Sequence, residues 1–203
     1  MTVICLTGGI ASGKTTAAAY LKDKGAYIIN ADLLGHQAYL PRTRAFEQVV
    51  QTFGNDVVGT DGQIDRKILG SKVFGNGSAL KQLTDIVWPE IRGLAEEAIK
   101  ARMTSHPEQI IVLEAAVLLE AGWEDLGDEI WAIVVDPEIA IKRACQRDGV
   151  DEAAVRQRIE AQLSNQEREK KSTVVISNNS SEQEMLKCLD KEWDRIQPGL
   201  NSD

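Results

Sequence analysis

Eight residues near the beginning of the chain have the types and spacing needed to bind a phosphate group. Residues 8–15 have the sequence GGIASGKT, which fits the pattern G-x-x-x-x-G-K-[ST] without a mismatch. Gly8 and Gly13 allow the backbone to turn tightly, so that successive N–H groups can converge on an anion. Lys14 can then reach the outer phosphates of a nucleotide, and Thr15 can offer its hydroxyl to Mg²⁺. The pattern therefore predicts a phosphate-binding loop.

The segments on either side of this loop favour phosphate binding over the alternative, which is a glycine-rich turn with an incidental lysine. Residues 3–6 form an apolar run that is typical of a buried strand. Residues 16–24 are rich in alanine and are predicted to form a helix directly after the loop. The N-terminal end of that helix would carry the positive end of its dipole, which attracts an anion.

Two acidic residues follow predicted strands. A short strand over residues 26–29 leads into an Asn-Ala-Asp sequence that ends at Asp32, and an apolar strand over residues 109–113 leads into Glu114. Ligands of open parallel sheets bind beyond the carboxyl ends of the strands, so both carboxylates are candidate site residues. Asp32 could equally cap a helix that begins at Leu33, and the two roles are compatible. Glu114 is a candidate for holding Mg²⁺ or a water bound to it.

Two further strands complete a predicted parallel sheet of five strands in an α/β fold. They are expected over residues 130–135 and 173–176, where apolar residues are continuous. The last strand is followed by Asn178 and Asn179. Their amides could hydrogen-bond the edge of a base or cap a final helix, which is predicted over residues 182–196.

Residues 41–107 contain no convincing strand. The spacing of apolar residues predicts helices over 44–53, 66–74 and 78–103, and Pro89 is expected to kink or open the last of them. About sixty residues of helix between two strands is far more than a crossover connection needs. We therefore predict a helical insertion over the sheet that holds the pocket for an acceptor.

Residues 138–171 are rich in basic side chains. Their periodicity predicts a charged helical hairpin, and most of the charges could simply form a solvated face with ion pairs one turn apart. The alternative is a cationic lid that closes over a bound polyphosphate, because the planar guanidinium group suits bidentate contacts to phosphate. The basic residues are Lys142, Arg143, Arg147, Arg156, Arg158, Arg168, Lys170 and Lys171.

Composition narrows the possible classes of protein. The 203 residues, 43% of them hydrophobic and 27% charged, suit one α/β domain with insertions. A net charge of −8 argues against a general nucleic-acid-binding surface or a polybasic membrane surface. No apolar run approaches the ~18 residues of a membrane-spanning helix. Cys5, Cys145 and Cys188 are far apart and are typical of reduced, packing cysteines in a cytoplasmic protein.

Taken together, these segments resemble the dephospho-coenzyme A (dephospho-CoA) kinases. The matching segments, in chain order, are TGGIASGKT, INAD, LLEAGW, KRACQRD, AQLSNQER and VISNN. The segments WPEI and AAVLLEAGWED are especially similar to the kinase half of the animal bifunctional CoA synthase. Most bacterial members of the family have a His-Pro pair where this chain has Trp88-Pro89, so an acceptor contact made by that histidine does not carry over.

The resemblance implies a P-loop kinase that uses ATP to phosphorylate the ribose 3′-hydroxyl of dephospho-CoA, the last step of CoA biosynthesis. By position, Asp32 matches the base proposed for that hydroxyl, and Arg143 and Arg147 match lid arginines near the transferring phosphate. Lys14 completes the implied catalytic set. The implied Mg²⁺ ligands are Thr15 and Glu114, although aspartate is common at the second position. The implied ATP contacts are Gly8, Gly9, Ile10, Ala11, Ser12, Gly13, Lys14, Thr15, Thr16, Asn178 and Asn179.

The expected organisation is a single kinase unit. Its parts are a core of residues 1–40, 108–137 and 172–203, an acceptor-binding insertion of residues 41–107, and a lid of residues 138–171. The expected ligands are ATP, Mg²⁺ and dephospho-CoA. Neither nucleic acid nor a membrane is an expected partner, and the protein is expected to be a cytoplasmic monomer or weak homo-oligomer.

Two alternative functions share some of these features. A nucleoside or nucleotide monophosphate kinase would have the same core and lid, but residues 41–107 lack an evident arginine cluster for a monophosphate. A non-catalytic nucleotide-binding regulator of CoA synthesis would not need the loop lysine or the acid at position 32. Both Lys14 and Asp32 are present.

Overall fold

The computed structural model describes residues 2–197 and contains a sheet of five parallel strands. The strands are β1 (Val3–Gly8), β2 (Tyr27–Asn30), β3 (Ile111–Glu114), β4 (Glu129–Val134) and β5 (Val174–Ser177). Their order across the sheet is β2-β3-β1-β4-β5, and every neighbouring pair is parallel. The predicted five-stranded parallel sheet is confirmed. Residues 198–203, which the predicted core included, lie outside the described residues.

Helices follow the strands along the chain. β1 is followed by α1 (Lys14–Asp23), and β2 is followed by α2 (Ala31–Ala38). The later helices are α3 (Arg44–Phe53), α4 (Arg66–Val73), α5 (Gly77–Ser105), α6 (Pro137–Asp148), α7 (Glu152–Glu160), α8 (Asn165–Lys171) and α9 (Glu182–Ile196). Short 3₁₀ turns occur at Asn55–Val57 and Glu124–Leu126.

The central strands are buried because helices cover both faces of a parallel sheet. Every residue of β1 and β3 is buried. Leu21 of α1 and Leu189 of α9 pack in one apolar cluster with Trp131 of β4, and burial of such side chains is the main source of stability. Cys5 lies within β1, and burial raises the pKa of its thiol to about 12, so it packs as an unreactive residue.

The strand order places the carboxyl end of β1 at a change of direction across the sheet. β2 and β3 lie on one side of β1, and β4 and β5 lie on the other. Ligands of open α/β sheets bind beyond the carboxyl ends of strands at such a point. The loop of residues 8–15 begins there.

The chain divides into two compact units. The first, called the core unit, consists of residues 2–30 and 99–197, and contains the sheet, the loop and residues 138–171. The second, called the helical unit, is Ala31–Ala98. It contains α2, α3, α4 and most of α5, together with a single antiparallel bridge between Val58 and Ile64.

Local signals account for the helices of the helical unit. Thr43 caps α3, because its Oγ1 accepts a hydrogen bond from the backbone N of Phe46 at 3.1 Å. Asp65 caps α4 by accepting from the backbone N of Lys67 at 2.8 Å and of Ile68 at 3.1 Å. The buried apolar residues of this unit include Val49, Val57, Leu69, Val73, Val87 and Ile91.

The structure differs from the local predictions at three places. The last predicted helix was expected to kink or open at Pro89; it does not open, because α5 is one helix from Gly77 to Ser105 with Ile91 and Ala95 buried beyond the proline, and a kink stays a prediction. The predicted hairpin of residues 138–171 is three helices, because Ser164 and Glu167 form a capping box that starts α8. Asp32 lies within the first turn of α2, which begins at Ala31, and does not cap a helix from residue 33.

Candidate functional site

The loop after β1 has the backbone geometry that its glycines predict. Gly13 has φ = 96°, in the left-handed region, and is the residue that precedes α1. A Cβ added at Gly8 would lie 2.6 Å from the carbonyl oxygen of Ile133, so a side chain is excluded there. The backbone N of Ala17 donates to the carbonyl of Gly13 at 3.0 Å, so the helix starts directly at the loop. The unpaired N–H groups of its first turn are available to an anion.

Three side chains converge on the carboxylate of Glu114, the last residue of β3. Lys14 Nζ donates to Oε1 at 2.8 Å, and Thr15 Oγ1 donates to the same oxygen at 3.1 Å. Asn30 Nδ2 donates to Oε2 at 2.9 Å. Glu114 is only 3% exposed, and a buried carboxylate of this kind is stable because it is paired and hydrogen-bonded.

The sequence had singled out Lys14, Thr15 and Glu114 as site residues, and the structure brings them together. It had not singled out Asn30, although an asparagine at the carboxyl end of a parallel strand was an available signal. Asn30 and Glu114 are 84 residues apart in the chain and are opposite each other in the pairing of β2 with β3.

The oxygen atoms of this group have the chemistry and spacing for a hard divalent cation. Thr15 Oγ1 and Glu114 Oε1 are 3.1 Å apart. Adjacent ligands of an octahedral Mg²⁺, each bound at about 2.1 Å, are separated by about 3 Å. Within residues 2–197, no three or more His, Cys, Asp and Glu side chains cluster as a metal site. Thr15 and Glu114 thus offer two oxygen atoms at a spacing that suits Mg²⁺, and their role as its ligands stays a prediction.

The two asparagines after β5 make contacts with the backbone. Asn178 is buried, and its Nδ2 donates to the carbonyl of Ser12 at 2.7 Å. Its side chain also lies directly against Gly13, where a Cβ would collide with it. Asn179 Oδ1 accepts from the backbone N of Asp136 at 2.7 Å. Asn178 thus stabilises the loop through contacts with Ser12 and Gly13. A contact of Asn178 or Asn179 with a base stays a prediction.

The two candidate lid arginines differ in their surroundings. Arg147 is exposed, and its guanidinium donates to both carboxylate oxygens of Asp148, at 2.7 and 2.8 Å. This hydrogen-bonded pair lowers the pKa of Asp148. Arg143 is half-buried on α6, and no acceptor lies within hydrogen-bonding distance of it in the described part of the chain. Arg143 is therefore the more available cation.

Helices α6 and α7, which lie within the predicted lid, contact the loop that follows β1. Ile10 and Ala11 of the loop pack against the apolar residues that α6 and α7 bury between them, which include Ile141, Ala144 and Val155. The loop and these two helices therefore share one small apolar cluster.

Asp32 belongs to the helical unit. It is exposed in the first turn of α2, where an acidic residue is favoured by the helix dipole. Its exposure leaves the carboxylate accessible to a ligand.

Comparison with known proteins identifies the family. The family model described as dephospho-CoA kinase matches residues 2–184. This chain belongs to the dephospho-CoA kinase family. The dephospho-CoA kinase of Geobacter sulfurreducens is 40% identical to it over 193 residues, which are 95% of this chain and 98% of that protein. That of Moorella thermoacetica is 35% identical over 203 residues, 100% of this chain and 96% of that protein.

A solved dephospho-CoA kinase structure agrees with this assignment. The enzyme from Campylobacter jejuni superposes with a TM-score of 0.71 at 28% sequence identity, covering 97% of this chain and 98% of that chain. The predicted resemblance to the dephospho-CoA kinase family and the predicted P-loop kinase fold are both confirmed. Membership of a kinase family implies the use of ATP, as the resemblance predicted. In residues 2–197, no helix is both long and apolar enough to cross a membrane.

Proposed function

We propose that this chain transfers the γ-phosphate of ATP to the ribose 3′-hydroxyl of dephospho-CoA, giving ADP and CoA. The observation that carries the proposal is the convergence of Lys14, Thr15 and Asn30 on the buried carboxylate of Glu114, beside an anion-binding loop. Membership of the dephospho-CoA kinase family supports dephospho-CoA as the acceptor.

On the donor side, the protein aligns ATP and neutralises its charge, because phosphoryl transfer needs little covalent chemistry from the protein. The backbone N–H groups of the loop donate to phosphate oxygens, and Lys14 contacts the outer phosphates. Thr15 and Glu114 are the proposed ligands of Mg²⁺, which when bound neutralises charge on the phosphates. Arg143 and Arg147 offset the charge on the transferring phosphoryl group.

On the acceptor side, Asp32 is the proposed general base. It orients the 3′-hydroxyl and accepts its proton while the 3′-oxygen forms a bond to the γ-phosphorus. The bond from that phosphorus to the bridging oxygen breaks, and the electron pair leaves with ADP. The accessible carboxylate of Asp32 suits this role.

The helical unit offers apolar surface for the remainder of the acceptor. Phe74 is 79% exposed and Leu33 is 60% exposed, and Leu40, Ile68 and Leu80 are also exposed. Dephospho-CoA carries a long uncharged pantetheine arm, which can cover such side chains. We assign these exposed side chains, three of which (Ile68, Phe74 and Leu80) lie within the predicted insertion of residues 41–107, to contacts with that arm.

The cellular location and the oligomeric state are also part of the proposal. We propose that the enzyme works in the cytoplasm, where ATP and dephospho-CoA are available, as a monomer or weak homo-oligomer. Sedimentation velocity over a range of protein concentrations tests the second point. A tight oligomer of higher order at low concentration would contradict it.

A panel of acceptors tests the proposed function. ADP release is measured with dephospho-CoA, adenosine, AMP, CMP and no acceptor, at the same ATP and Mg²⁺ concentrations. We expect ADP release to depend on dephospho-CoA. Release that depends on a nucleoside or a monophosphate would instead support the alternative kinase. ATP binding without transfer to any acceptor would support a non-catalytic regulator.

A further inference from the structure

Gln162 connects the lid to the phosphate loop. It lies between α7 and α8, and its Oε1 accepts a hydrogen bond from the backbone N of Ile10 at 3.0 Å. A Cβ added at Gly9 would lie 3.5 Å from the same oxygen. The amide of Gln162 therefore lies over the second and third residues of the loop.

The segment that carries Gln162 is anchored to the rest of the core unit. The backbone N of Leu163 donates to Glu120 Oε1 at 3.3 Å, and the guanidinium of Arg168 donates to that oxygen at 2.6 Å. Arg168 is completely buried, and breaking a buried ion pair is costly. The side chain of Asn165 donates to the backbone carbonyl just after β4 at 2.8 Å. The segment directly after Gln162 is therefore held in place by hydrogen bonds to other parts of the core unit.

The contact with Ile10 fixes the orientation of the Gln162 amide. A glutamine amide has an acceptor end and a donor end, and a backbone N–H can bond only to the acceptor. Nε2 and its two hydrogens therefore point away from the Ile10 N–H, although they remain beside the same loop. Among residues 2–197, no acceptor lies within hydrogen-bonding distance of Nε2. An unpartnered amide donor next to an anion-binding turn fits an oxygen of the anion.

We infer that Gln162 is a nucleotide-binding residue of the lid. Its carbonyl oxygen holds Ile10, and its Nε2 donates to a phosphate oxygen of the nucleotide, an inference that rests on the proposed ATP site. A neutral amide performs both tasks. A carboxylate at this position would still accept from Ile10, but it would repel the phosphates, because like charges a few ångströms apart repel each other.

Two substitutions separate the two tasks of Gln162. Gln162→Glu keeps an acceptor for Ile10 and removes the donor, whereas Gln162→Met has similar length and neither group. Gln157→Glu is the matched control, since Gln157 is exposed on α7 of the same lid. ATP affinity is measured by calorimetry with Mg²⁺ and without acceptor. Solvent exchange of the Ile10 amide proton is measured by ¹⁵N NMR.

We expect Gln162→Glu to weaken ATP binding by about tenfold or more while the Ile10 amide still exchanges slowly. Gln162→Met should weaken ATP binding and also speed exchange at Ile10, and Gln157→Glu should change neither. Wild-type ATP affinity in Gln162→Glu would overturn the inference, whether or not Gln162→Met folds. The calorimetry contains no acceptor, so it tests the role of Gln162 independently of phosphoryl transfer. A wild-type protein that binds ATP but, in the separate acceptor assay, does not phosphorylate dephospho-CoA would overturn only the proposed function.

Discussion

At the scale of single residues, Lys14 and Glu114 depend on each other for charge compensation. Their side chains are 11% and 4% exposed and form an ion pair of 2.8 Å. Bound phosphates would give Lys14 a second anionic partner, while Thr15 and Asn30 continue to donate to Glu114. The same pair therefore serves the stability of the core unit and the proposed chemistry.

Substitution of the loop lysine should affect both properties. Lys14→Met keeps the length of the side chain and removes its charge. We expect turnover to fall by about 100-fold or more, because a cation at the transferring phosphate is lost. The free energy of unfolding should fall by about 3 kcal/mol, because Glu114 stays buried without its ion-pair partner. ADP release and urea denaturation measure the two effects, and the exposed Lys22→Met is the control. A folded Lys14→Met enzyme with normal turnover would contradict the role.

Substitution of Glu114 should alter the response to the metal. Glu114→Gln preserves the shape of the side chain but removes the charge that a divalent cation needs. We expect the Mg²⁺ concentration for half-maximal rate to rise by about tenfold. The rate is followed against Mg²⁺ at fixed ATP. Glu124→Gln is the control, because Glu124 forms a surface pair with Lys171. An unchanged Mg²⁺ dependence would remove Glu114 from the cation site.

Substitution of Asp32 tests the proposed base. Asp32→Asn keeps the hydrogen-bonding shape and removes the ability to take a proton. We expect kcat to fall by about 100-fold or more with ATP affinity unchanged, since general base catalysis acts in the transition state. Asp23→Asn, at an exposed acid of α1, is the control. A nearly normal kcat in Asp32→Asn would mean that the base lies elsewhere.

At the scale of elements, the sequence was sufficient to predict the bounds of those helices whose ends are set by capping residues next to them. The predicted helices over 44–53 and 182–196 agree with α3 and α9, which Thr43 and Ser181 cap through their side chains. The loop and the strands were predictable for the same reason, since glycine spacing and apolar runs are read within a few residues.

Two contacts between distant segments were not predictable from the sequence. Gln162 and Ile10 are 152 residues apart, and only the fold brings them together. Arg168 lies in a run of basic residues that suggested a solvated face or a cationic lid. The structure buries it against Glu120, 48 residues away, and the spacing of charges could not reveal that partner.

The two candidate lid arginines should differ in their contribution to catalysis. Arg143 is half-buried without an ion-pair partner in the described chain, whereas Arg147 is already bound to Asp148. We expect Arg143→Ala to lower kcat by about 100-fold and Arg147→Ala by about tenfold, with smaller effects on ATP affinity. Arg158→Ala, an exposed arginine of α7, is the control. Steady-state kinetics and calorimetry give the comparison. Equal, small effects for all three variants would reduce the lid arginines to surface charges.

At the scale of the whole molecule, charged side chains of the last helix, α9, pair with partners on β4 and at the end of α1. Glu129 of β4 accepts both guanidinium branches of Arg195 of α9, at 2.9 and 2.6 Å. Asp190 of α9 accepts from Tyr20 of α1 at 2.7 Å and pairs with Lys24. Hydrogen bonds from these partners lower the pKa of Glu129 and of Asp190.

These lowered pKa values predict how stability responds to acid. The folded state holds the two carboxylates ionised at lower pH than the unfolded chain does. Their contribution is therefore present above the ordinary pKa values, 4.5 for glutamate and 3.8 for aspartate, and is lost as the pH falls through the lowered values of the folded state. Urea denaturation, followed by tryptophan fluorescence, should show that the urea concentration at the midpoint of unfolding decreases as the pH is lowered through this range. Glu129→Gln should flatten the fall, and the exposed Glu108→Gln should not. An identical pH profile in Glu129→Gln would contradict this assignment.

The position of the transferred phosphate tests the central claim most directly. The protein is incubated with dephospho-CoA and ATP labelled in its γ-phosphate, and the product is isolated and analysed by ³¹P NMR with coupling to the ribose protons. The account predicts one new phosphate monoester on the ribose 3′-oxygen, formed together with ADP. Label that appears only as inorganic phosphate, or on any other hydroxyl, would contradict it.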